Sequence, residues 1–251
     1  MNKKWLWGSA IIAGMILGAI IGVLDLEMRA TTIGPLVLSI FAVYMLAIIW
    51  TSIRKQKNII KILMVQGQPQ LYLQRMNLLR NQIRGDKFKR LIEINIATGL
   101  IYEGRVDEAL VILETLSLKG FSPMHKGVYY NNLAFAYLMQ NRVHDSQEIF
   151  KKHIGEMLAA DRDPMVKSCA RCNQAILDFK QNRMHIAHDT LDRLLEKDLL
   201  PLQKAVILYY KGLIMKELGK EGIGRIFEES SSHAGSTVFK ELSDTALNSI
   251  Q

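Results

Sequence analysis

Residues beyond about position 86 repeat themselves, and a chain that repeats at a steady step is confined to folds that stack like on like. Three prolines are each followed by similar residues: Pro123-Met124-His125-Lys126, Pro164-Met165-Val166-Lys167 and Pro201-Leu202-Gln203-Lys204, at separations of 41 and 37. Small residues keep the same rhythm at Ala97, Ala134, Ala175 and Gly212, separated by 37, 41 and 37. So do Ala109, Ser146, Ala187 and Gly224, and the turn residues Gly104, Asn141, Asn182 and Gly219. Asn95, Asn132 and Asn173 form one more column.

Each unit reads as a helix, a tight turn and a second helix. Ser122 and Asp163 are placed to cap a first helix, with proline in its first turn where a missing N–H costs nothing. Gly or Asn at the turn tolerates the left-handed conformation that ends a helix. The small residue midway along each helix lets its neighbour approach. No sustained period-two alternation signals a strand, so the expected class is all-α.

The segment Tyr130-Asn131-Asn132-Leu133-Ala134-Phe135-Ala136-Tyr137, followed by Asn141-Arg142 and Phe150, resembles a tetratricopeptide repeat. Gly104-Arg105-Val106-Asp107-Glu108-Ala109-Leu110 resembles the turn and second helix of another. The resemblance, to bacterial-looking membrane proteins carrying such repeats, covers about residues 86 to 230 in four units. It departs from the family in its step of 37 to 41 rather than about 34, in Ser146 where alanine is usual, and in Gly222 and Gly224, which weaken the last helix. Residues 59 to 84 are expected to lead into the array and Val238 to Ile250 to cap it, covering exposed ends.

Ahead of the repeats stand two uncharged apolar stretches, Trp5 to Leu24 and Ile33 to Ile53, of 20 and 21 residues. As helices each reaches about 30 Å, the thickness of a hydrocarbon core. A cleaved signal peptide competes for the first, but the apolar run is longer than such segments and a second follows at once. The expected organisation is a two-helix transmembrane hairpin over 1–58, a basic juxtamembrane helical segment over 59–85, and the repeat solenoid with its capping helix over 86–251. Gly14, Gly18 and Gly22, with Ala10, recur every fourth residue and offer a close packing face. That face would meet either the second span or another copy of the chain, which would make a homo-oligomer; glycine is also simply common in membrane helices.

The net charge of +8 is uneven: residues 54 to 90 hold ten basic residues and one acidic, whereas 91 to 251 hold nineteen and twenty-one. Arg54, Lys55, Lys57 and Lys61, continuing to Arg75, Arg80 and Arg84, flank one end of the hairpin, and Lys3 and Lys4 the other. The positive-inside rule then puts both termini in the cytoplasm of a multi-pass plasma-membrane protein, with Trp5, Trp7 and Trp50 at the same interface. Besides setting topology, the basic run is suited to anionic lipid head groups. Charge concentrated there, not spread over a folded face, argues against nucleic acid.

Cys169-x-x-Cys172 with His185-x-x-His188 approaches a zinc-finger spacing. In the repeat register these pairs fall on antiparallel helices on the order of 15–20 Å apart, whereas zinc needs ligands at about 2.0–2.3 Å. Gly219-Lys220-Glu221-Gly222-Ile223-Gly224 follows a helix rather than a strand, so it reads as a turn and not a phosphate loop. No nucleophile and base constellation stands out. The expectation is a non-enzyme without metal or cofactor. Two cysteines in so long a chain make no disulfide framework.

In tetratricopeptide relatives the concave face lined by the first helices binds peptides or proteins, and the resemblance implies the same here. Thr98, Tyr102, Asn131, Phe135, Leu138, Tyr209 and Lys216 are the candidate lining residues. Three functions follow as expectations: a membrane-anchored scaffold or assembly factor for a cytoplasmic protein partner, a membrane-tethered regulator that senses a peptide, or an accessory subunit of a membrane enzyme.

Overall fold

The computed structural model describes residues 30–159 and 163–250. These form eleven α-helices, with no strand among the described residues. The helices are α1 (Ala30–Met64), α2 (Pro69–Gln82), α3 (Asp86–Glu103), α4 (Val106–Thr115), α5 (Pro123–Met139), α6 (Val143–Ala159), α7 (Pro164–Lys180), α8 (Met184–Leu195), α9 (Pro201–Glu217), α10 (Ile223–Ala234) and α11 (Val238–Asn248). The chain divides into two compact units between Lys55 and Gln56.

In the first unit, Leu38, Phe41, Val43 and Leu46 are exposed along α1. Among the described residues no helix is long and apolar enough to cross a membrane. This overturns the expected placement as a multi-pass plasma-membrane protein with both termini cytoplasmic. The other expected span, 5–24, lies outside the described residues, and with it Ala10, Gly14, Gly18 and Gly22. Arg54 and Lys61 are exposed on α1, while the side chains of Lys55 and Lys57 are not among those described.

The second unit is built from helix pairs whose ends are set by local chemistry. Proline opens α2, α5, α7 and α9, where its fixed φ suits the helix and its missing N–H is no loss. The Ser122 hydroxyl accepts from the His125 N–H, and the Asp163 carboxylate accepts from the N–H groups of Met165 and Val166 at 2.9 and 3.3 Å. Leu200 has no capping side chain; the Gln203 carbonyl accepts its N–H instead, at 3.2 Å. The turns inside the pairs place Gly104, Asn141, Asn182 and Gly219 at φ of 91°, 60°, 60° and 63°. Glycine, or asparagine with its short polar side chain, is what that region accepts.

Four pairs follow in order: α3 with α4, α5 with α6, α7 with α8, and α9 with α10. First helices also pack on first helices, α3 on α5, α5 on α7 and α7 on α9, forming an inner row of a helical-repeat-like, all-α fold. The small column sits where the helices cross. Ala97, Ala134 and Ala175 are fully buried, and a Cβ on Gly212 would come within 2.6 Å of the Phe227 ring. The second small column, Ala109, Ser146 and Ala187, is equally buried, with the Ser146 hydroxyl unpartnered among the described residues.

Two contacts go beyond the repeat pattern. Helix α11 packs on α9 and α10 as the next inner helix would, and its other side reaches back to α3. The link before α11 meets the link after α1: the Ser236 N–H and hydroxyl both donate to the Gly67 carbonyl, at 2.8 and 3.0 Å. A Cβ on either Gly67 or Gly235 would lie 2.7 Å from the other segment's backbone, so glycine is required at both. Leu63, Tyr72 and Met76, ahead of the repeats, share one core with Ile101, Leu138 and Phe239.

Candidate functional site

Side chains three, four and seven residues apart share one face of a helix. On α3 that face carries Asn95, Thr98, Ile101 and Tyr102; on α5, Val128, Asn131, Asn132 and Phe135; on α7, Met165, Val166, Cys169 and Asn173. These faces converge on a cavity of about 120 Å³, closed on the near side by Ile60, Leu63 and Met64 of α1 and Tyr72 of α2.

The polar groups on its wall are four carboxamides, one hydroxyl and one thiol, together with the Tyr72 and Tyr102 phenols; no Asp, Glu, Lys, Arg or His lines it. The amides tie the inner row together. Asn132 Nδ2 donates to Thr98 Oγ1 at 2.8 Å, and that hydroxyl donates to the Ile94 carbonyl at 3.0 Å. Asn173 Nδ2 donates both to Asn131 Oδ1 at 2.9 Å and to the Asn131 main-chain carbonyl at 3.2 Å. Burial pushes the Tyr102 phenol well above its ordinary range and the Cys169 thiol up, the latter partly offset by the Gln203 amide that donates to it at 3.4 Å. A thiol held protonated is a poor nucleophile. The wall therefore offers neutral donors and acceptors on an apolar background.

Of the expected lining residues, Thr98, Tyr102, Asn131 and Phe135 meet at this cavity. The other three do not. Leu138 lies seven residues past Asn131 on the same face, but it is fully buried in the helix packing and falls outside the cavity lining. Tyr209 packs in an aromatic cluster with Tyr210, Phe227 and Phe239. Lys216 is exposed and donates to the Ser249 hydroxyl at 3.2 Å, beside the end of α11. Asn95, Asn132 and Asn173 were visible as a repeat column, and their shared face with Thr98 and Asn131 was the signal that they line the same space. Ile60, Leu63, Met64 and Tyr72 carry no such signal, since they lie outside the repeats.

Among the described residues no group of three or more His, Cys, Asp or Glu is arranged to hold a metal ion. Cys169 faces the cavity and Cys172 is buried behind it. His185 is exposed. His188 is engaged on the outer row, with Lys220 Nζ 3.0 Å from Nε2 and Asp192 Oδ2 3.2 Å from Nδ1.

The chain matches no protein family, no curated protein and no solved structure.

Proposed function

We propose that the chain is a protein–protein interaction module, a tetratricopeptide-like array that holds a protein or peptide partner against its inner face as a scaffold or assembly factor does. The observation that carries this is the cavity between α3, α5 and α7, where neutral amides and apolar side chains stand open on the row of first helices. The four-unit step, the capped first helices and the left-handed turns support the tetratricopeptide likeness. A binder rather than a catalyst fits a wall without a charged group or an activated nucleophile.

The test is affinity capture and cross-linking with the full chain beside a Thr98→Leu, Asn95→Leu variant that fills the cavity. The expected result is a partner captured by the native chain and lost from the folded variant. A partner held equally by both would place binding elsewhere.

A second reading, a peptide-sensing regulator, is favoured by the bond between Ser236 and Gly67. An array whose two ends are joined responds as one body to what enters it. Hydrogen exchange at the Ser236 amide that changes on partner binding would favour the sensor; exchange that stays constant would favour the scaffold.

A further inference from the structure

We propose that the cavity accepts the main-chain N–H and C=O of one uncharged interior residue of an extended partner segment, flanked by small apolar side chains, and discriminates against chain termini and charged residues. This rests on the reading of the inner face as a binding face.

The Asn173 amide has a determined orientation. Its Nδ2 reaches the Asn131 main-chain carbonyl, which can only accept, as well as Asn131 Oδ1. The Asn131 side chain therefore turns its oxygen toward Asn173, leaving its own Nδ2 with no acceptor among the described residues. Asn173 Oδ1 likewise meets no donor among them. Both residues are about nineteen-twentieths buried, at 5% and 4% exposure, and both line the cavity. One donor and one acceptor thus lie at the cavity on adjacent helices, each without a partner among the described residues.

One residue of an extended segment supplies the matching pair on one side, its carbonyl for Asn131 Nδ2 and its N–H for Asn173 Oδ1. A carboxylate has only acceptors and would set its charge against Asn173 Oδ1; an ammonium has only donors and would face Asn131 Nδ2. No ionised side chain lines the wall to offset either charge, and an unpaired charge is expensive to take out of water. The rest of the wall is apolar, with Ile60, Met165 and Val166 placed for flanking side chains. A volume of about 120 Å³ admits a peptide group with a small side chain but not a helix.

The experiment measures binding of the full chain to an array of N-acetylated, C-amidated pentapeptides built from Gly, Ser, Val and Leu. Matched arrays carry Asp or Lys at the centre, or a free C-terminal carboxylate. Uncharged blocked members should bind, and charged or free-carboxylate members should bind at least about tenfold more weakly. Asn131→Asp, which keeps the shape but removes the waiting donor, should weaken the bound members roughly tenfold to a hundredfold. Val166→Phe, which fills the space from a half-buried position, should abolish binding and serves if Asn131→Asp does not fold.

Charged or free-carboxylate members that bind as well, binding unaffected by the folded variants, or no pentapeptide binding at all would each overturn the proposal. If pentapeptides fail while capture of a partner protein is still lost in Val166→Phe, the inner-face reading stands and only the peptide-group inference falls. A captured partner indifferent to both variants removes the two together.

Discussion

The inner row has two halves that treat exposed surface in opposite ways. Toward α9 the face is aromatic, and the chain covers it with its own terminal helix. Phe239 of α11 is fully buried, with its ring centroid 5.6 to 6.3 Å from those of Tyr102, Phe135, Tyr209 and Tyr210. Toward α3 and α5 the face carries amides, and the space over them is open. Tyr102 and Phe135 belong to both halves and mark the seam. Covering aromatic surface with an apolar side chain is favourable by about 1.5–3 kcal/mol per residue. Covering amides that keep free donors and acceptors costs energy unless the cover brings matching groups. The chain's own helix thus seals the half it can satisfy, and the half left open is the one that needs polar partners.

Three measurements would break or sharpen that contrast. The largest effect is expected from Phe239→Ala, which should cost about 3–5 kcal/mol in urea unfolding because the surrounding rings cannot fully collapse. Thr98→Val, in the open half, should cost only about 0.5–1.5 kcal/mol, the net worth of its hydrogen bonds. Similar losses in the two variants would erase the distinction between a packed half and an open one.

Gly235→Ala comes next. Gly235 sits at φ 63° and ψ −128°, and its Cβ would meet the Gly67 backbone. A loss of about 1–3 kcal/mol is expected for that strained conformation, with faster hydrogen exchange at the Ser236 amide. Unchanged exchange would show that the two ends of the unit are not held by this contact.

The smallest effect is expected with pH. Burial, the largest cause, lowers the His188 pKa, reinforced by Lys220 and Lys211 and opposed by Asp192 and Asp189. The unfolded chain therefore takes up the proton first. His188 contributes stability that is fully present above its unfolded value of about 6.5 and is lost as pH falls from there through the folded value. His233, also lowered by burial, acts in the same direction. The cavity holds no group that titrates in this range, so pentapeptide binding should stay flat between about pH 5.5 and 8 while thermal stability declines toward the acid end. Binding that followed the stability curve would place an ionisable group at the site.

Much of the helical framework was legible because it depends on neighbours along the chain. Pro123, Pro164 and Pro201 start helices, Ser122 and Asp163 cap them, and Gly104, Asn141, Asn182 and Gly219 end them, all through local backbone geometry. The site was legible only in part. Thr98, Tyr102, Asn131 and Phe135 followed from helical periodicity, while Leu138 and Lys216 share that periodicity and still fall outside the cavity, one in the core and one beside the end of α11. The spacing of Cys169, Cys172, His185 and His188 suggested metal chemistry that the helix register scatters over two faces. The expected membrane placement rested on apolar length, flanking basic residues and interfacial tryptophans, and among the described residues no helix is long and apolar enough to cross a membrane.

Repetition in the amino acids dictated helix after helix and which small side chain would sit at each crossing, since both follow from φ, ψ and Cβ size within a few residues. The meeting of the two ends was settled only in three dimensions. Each pair turns a little relative to the last, and the sum of those rotations decides whether α11 arrives at α3 and Ser236 at Gly67. No short stretch of chain encodes that sum, so Phe239 reads as one more apolar residue until the folded array shows which rings it lies among.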